Sequence, residues 1–225
     1  MCKKIISYSL LIFVIPAIIL LGAMFFKDKM YSWITLCVAL VACIPFFLSF
    51  EKGKSSTKEM IVVAVMVAIA VVGRILCAPL PGFKPVTAVI VITAMYFGGE
   101  IGFMTGALSA VISNFYFGQG PWTPFQMFVW GLIGLVAGIL SSPLKRNKVI
   151  LIIYGIFSGI AFSLLMDVWS MLWWDGTFNL SRYLALVASS LPFLCIYAVS
   201  NVVFLLILSG TVGKKLNRIK TKYGI

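Results

Sequence analysis

Residues 59–76 read EMIVVAVMVAIAVVGRIL. No charged residue falls between Glu59 and Arg74. At 1.5 Å per residue such a run covers most of a hydrocarbon core about 30 Å thick, so it predicts a spanning helix over 60–77. Apolar runs of the same kind recur on both sides of it, at 5–26, 31–50, 86–98, 101–117, 124–141, 149–172 and 184–209. Continuous rather than alternating hydrophobicity excludes a β-barrel and predicts an all-α integral membrane protein of eight spans. The run 86–98 is short for a span and is expected to be shielded by its neighbours.

The polar stretch 51–59, EKGKSSTKE, is the clearest linker. It divides an N-terminal two-helix transmembrane hairpin (1–50) from a six-span body (60–210), which a basic tail (211–225) follows. The run Ile5–Phe26 exceeds the apolar core of a signal peptide, and no small-residue cleavage site follows it; it reads as a span.

Composition agrees. Of the 225 residues 62% are hydrophobic and 11% charged, where soluble domains are roughly 45–50% apolar. The net charge of +12 sits at span ends, which marks membrane orientation rather than nucleic-acid binding. With eight spans, thirteen Lys and Arg residues fall on the side of the termini, four fall on the other, and Arg74 lies within a span. The bias predicts a multi-pass cell-membrane protein with both termini cytoplasmic.

There is no His, and the five Cys are scattered, so His-based catalysis, a zinc site and a disulfide framework are poor readings. The six acids form no paired motif, and no HExxH, GxSxG or P-loop is present. An enzyme is not expected, nor a cofactor or a metal.

Orientation places three loops outside: 78–85 (APLPGFKP), 118–126 (GQGPWTPFQ) and 173–183 (WWDGTFNLSRY). Arg74 and Asp167 lie within spans near that side, where an intramembrane charge faces a partner or a cavity. Two readings are open: a structural pair or a snorkelling arginine, or the lining of a polar chamber. Asn114, Tyr116, Thr123 and Gln126 fall at the same level, with Lys84 and Gln119 in the loops. Trp122, Trp130, Trp169 and Trp173 cluster there too, whereas the cytoplasmic ends carry no Trp. Flat apolar walls with a few polar groups describe a small-molecule site. In GQGPWTPFQ, Pro121 and Pro124 restrict the turn while Gly118 and Gly120 permit close approach, so Trp122 and Gln126 are held in one shape; the plainer reading is a connecting turn with an interfacial Trp.

The motif AVMVA at 64–68, at the start of a six-span body, and the long stretch FKPVTAVIVITAMYFGGEIGFMTGALSAVISNFYFGQGPWTPFQM (83–127) carry a family resemblance. The chain resembles the substrate-binding S components of energy-coupling factor (ECF) vitamin transporters over roughly 58–210. Within them it resembles the cobalamin-associated subgroup with two extra N-terminal helices. The resemblance implies a vitamin, best matched by cobalamin or a related corrinoid, captured at the outer face. It also implies a membrane scaffold subunit and two ATPase subunits that drive release inside. Ala64 and Ala68, on one helical face, would be the docking point for the scaffold. Thiamine, riboflavin, a standalone transporter and an assembly subunit without a ligand are the alternatives.

Overall fold

The computed structural model describes residues 9–18, 37, 41, 57–175 and 178–224. Most of the expected spans 5–26 and 31–50 and linker positions 51–56 lie outside the described residues. Within the first span a short π-helical run, Leu10–Val14, is present, and Leu11 and Ile15 are buried in the main core.

From residue 57 on, the described residues are helical, joined by short connections. The helices are α1 (Thr57–Leu76), α2 (Val86–Phe97), α3 (Gly99–Phe117), α4 (Thr123–Ile139), α5 (Ser141–Arg146), α6 (Lys148–Asp175) and α7 (Leu180–Tyr223). Among them α1, α6 and α7 are long and apolar enough to cross a membrane, and α2 and α4 are shorter apolar helices. The 12-residue α2 is buried continuously from Val86 to Met95, so its neighbours shield what it is too short to span.

Charged and aromatic side chains fix the direction of the helices. At one end the Lys58 ammonium lies 4.9 Å from the Tyr223 ring and that of Lys145 lies 4.7 Å from the Tyr96 ring. Lys220 donates to the Tyr96 carbonyl at 2.7 Å. At the other end Arg74, Asn114 and Thr123 meet. The body is therefore an up-and-down bundle with two chemically different ends.

Glycine makes the tightest seam. Helices α3 and α4 pack against each other more extensively than any other pair. A Cβ at Gly102 would come within 2.6 Å of the Gly134 carbonyl oxygen, and one at Gly106 would strike the Trp130 backbone. Without a strong hydrophobic drive between helices in lipid, such close backbone contact is a main source of packing energy. The seam holds α4 high against α3, where the polar residues of both emerge. At the opposite end Gly98, at φ 97°, reverses the chain between α2 and α3 in a single residue.

Two elements differ from the sequence reading. The connection expected after 141 is itself the short helix α5, with Pro143 in its first turn, where a missing N–H breaks no hydrogen bond. The last span and the basic tail form one 44-residue helix, whose Gly213 and Leu216 remain buried in the tail portion.

Candidate substrate site

Helix α1 delivers Arg74 to its last turn. The guanidinium Nη1 donates to Ser113 Oγ and, at 2.8 Å, to Asn114 Oδ1, both on the last turns of α3. The Asn114 amide passes the chain on: Nδ2 donates to Thr123 Oγ1 at 3.0 Å and to Gln126 Oε1 at 2.8 Å, in the first turn of α4. Asn114, Thr123 and Gln126 are all buried. A buried polar group costs little when it is fully paired, and this network ties three helices together at one level.

The turn before α4 is shaped to serve it. The Gly120 amide donates to Thr123 Oγ1 at 3.3 Å, and the Thr123 amide to the Gly120 carbonyl at 2.9 Å. Gln119 Nε2 is used locally, donating to the Val111 carbonyl at 2.8 Å.

Aromatic rings line the cations. The Arg74 guanidinium carbon lies 4.3 Å from the Phe117 ring centre and 5.3 Å from that of Trp130. The Lys84 ammonium lies 4.9, 5.5 and 5.6 Å from Tyr197, Phe162 and Trp130. Trp130 stacks on Phe162 with ring centres 5.4 Å apart, and Phe162 meets Tyr197 edge-on at 5.3 Å. A backbone clip holds Lys84 there. Its amide donates to Ser200 Oγ at 2.8 Å, and the Ser200 hydroxyl donates back to the Lys84 carbonyl at 3.1 Å. Phe83 packs on Phe204 of the same helix, α7, at 5.0 Å. Burial first, and the nearby charge of Arg74 second, bring the Lys84 ammonium down to about 7.

Of the residues singled out from the sequence, Arg74, Lys84, Asn114, Thr123, Gln126 and Trp130 are brought together. The others are placed differently. Tyr116 is exposed and packs edge-on against Phe117. Trp122 is partly exposed, with its ring against Gly120. Asp167 accepts from Ser190 at 2.6 Å, so it and Arg74 are held by separate partners. Trp169 stacks on Phe125 at 5.6 Å and meets Trp173 at 5.5 Å, forming a second aromatic group between α4 and α6. Phe117, Phe162, Tyr197, Ser113 and Ser200 were not in the expected set. Phe162 and Tyr197 are single aromatics inside apolar spans, and no local polar pattern distinguishes them from core.

The model of one protein family, described as ECF-type riboflavin transporter, S component, matches residues 54–217. The chain belongs to this family. No curated protein and no solved structure matches it. As an ECF S component it is a substrate-binding subunit of a vitamin transporter, a class of carrier rather than of enzyme. Its apolar helices agree with a multi-pass membrane protein. Residues 1–53 lie outside the matched span.

A second surface bears on the S-component role. An apolar groove of about 520 Å³ runs along α1 and α3, lined among others by Met60, Ala64, Ala68, Met104 and Ile112. Ala64 and Ala68 are exposed in it, so their small size does not serve packing inside the body. The groove includes none of the polar residues described above.

Proposed function

We propose that this S component captures its vitamin at the end of the bundle where α1, α3, α4 and the loop 77–85 converge. The observation that carries the reading is the network from Arg74 through Asn114 to Thr123 and Gln126, laid beside the Trp130–Phe162–Tyr197 rings. Flat walls with a few fixed polar groups suit a flat heteroaromatic vitamin. The family's description makes a flavin the first candidate. Cobalamin, favoured by the 83–127 resemblance, is the second. The charge bias at the opposite end supports an outward-facing site with both termini in the cytoplasm. Tyr116, Gln119, Trp122, Asp167, Trp169 and Trp173 then border the mouth rather than grip the ligand.

The groove holding Ala64 and Ala68 is the docking face for the ECF scaffold subunit, which two ATPase subunits drive. Exposed small residues let a partner helix approach closely. The test of the site is tryptophan quenching of the purified chain by riboflavin and by cyanocobalamin. Saturable quenching by one of them, weakened in Gln126→Ala, is the expected result. Quenching by either that Gln126→Ala leaves unchanged moves the site elsewhere, and none by either rejects both candidates.

A further inference from the structure

Three hydrogen-bond donors converge at Trp130 with too few acceptors. The Lys84 ammonium faces three rings and makes no hydrogen bond among the described residues. The Trp130 indole N–H is buried and likewise has no acceptor among them. Arg74 spends its bonds on two neutral side chains, Ser113 and Asn114. Among the described residues no carboxylate pairs with either cation, and Asp167 accepts from Ser190 instead. Arg74 and Lys84 lie 5.3 and 5.6 Å from one and the same ring, distances that add to 10.9 Å as their largest possible separation.

Arg74 and Lys84 are half-buried; charges drawn away from water are normally paired, and a buried indole N–H normally finds an acceptor. Two like charges beside one ring repel each other, which adds to the larger effect of burial in lowering the proton affinity of Lys84. Rings alone do not repair it, since a cation over a ring face keeps its need for acceptors. A neutral ring would leave both cations uncompensated. An oxyanion would accept from all three donors and relieve the repulsion, through charge-assisted bonds stronger than neutral ones.

Resting on the site reading above, we propose that the ligand carries an anionic oxygen group, phosphate or carboxylate, held between Arg74 and Lys84 beside Trp130. The flat part of the ligand then lies along Phe162 and Tyr197. Arg74 and Lys84 thereby determine specificity, selecting charged over neutral ring compounds.

The experiment uses three ligands sharing one ring: riboflavin, riboflavin 5′-phosphate and carboxymethylflavin. Each is titrated into the purified full chain and read by tryptophan quenching. The proposal expects the phosphate, the carboxylate or both to bind at least about tenfold tighter than riboflavin. Which of the two does so identifies the group. In Lys84→Gln the preference is expected to fall to about threefold or less, the charged flavins losing more affinity than riboflavin. Lys84→Arg, which keeps the charge, should retain the preference. Riboflavin binding as tightly as its charged relatives, with the loss in Gln126→Ala intact, overturns the anion and leaves the site standing. A preference that survives Lys84→Gln overturns the assignment to this cation pair. Silence from all three flavins at about 1 mM overturns the proposal too, and the cyanocobalamin titration then decides the site by itself.

Discussion

At the scale of single residues, the site depends on groups that no local pattern announces. Trp130 is buried, stacked on Phe162 and beside two cations. Its truncation to Ala should weaken vitamin binding by about thirtyfold, the usual effect of removing an aromatic anchor worth about 2 kcal/mol. Equilibrium quenching cannot use Trp130 itself, so radioligand binding is the measurement. If the ligand sits beside Lys84 as proposed, its binding should depend on pH. The Lys84 ammonium ionises near 7 in the fold and near 10.5 in the unfolded chain, with Arg74 and Tyr197 as the ionisable groups beside it. Between those values the unfolded chain binds more protons, so ligand-free stability should rise from pH 7 to pH 10. An anionic ligand prefers the charged lysine, so its affinity should be highest below 7 and fall as pH rises through it. Lys84→Arg should flatten both profiles; unchanged slopes would show that another group titrates. The sequence marked Arg74, Asn114, Thr123 and Gln126 because polar residues inside apolar runs are costly and stand out. It could not mark Phe162 or Tyr197, since an aromatic in a span is indistinguishable from core until helix packing sets its neighbours. The same limit explains the open reading of Arg74 and Asp167, whose partners proved to be Ser113, Asn114 and Ser190.

Among elements, α1 holds both proposed surfaces, the docking groove and the polar network, on different parts of its length. Ala64 and Ala68 face the groove, and Arg74 reaches the polar network two residues beyond the groove's last α1 residue, Val72. Ala64→Trp with Ala68→Trp should therefore abolish uptake and co-purification with the scaffold while leaving vitamin affinity of the isolated chain within about twofold. Loss of affinity as well would tie the groove to the interior. The α3–α4 seam makes the opposite prediction. Gly102→Leu has no room against Gly134 and Ala94, and overpacking of this kind costs about 1–3 kcal/mol or more. It should lower the melting temperature and the affinity together, because it displaces Asn114 from Gln126. Helix existence was readable from apolar run length. Helix extent was not: α5 is too short for a periodic signal, and the basic tail continues α7 by packing Gly213 and Leu216, which hydropathy alone does not detect.

At the scale of the whole molecule, the bundle separates a basic end from a polar-aromatic end, and the proposed vitamin site is at the latter. One labelling experiment tests both the orientation and the site. Phe117 is partly exposed while its ring covers Arg74 at 4.3 Å, so a cysteine there sits at the mouth of the network. With the five native cysteines replaced, Phe117→Cys should react in intact cells with a membrane-impermeant maleimide. Saturation with the vitamin that quenches the purified chain should slow that reaction by about tenfold. Reaction only after permeabilisation, or at a rate the vitamin does not change, would contradict an outward-facing substrate site at this end of the bundle.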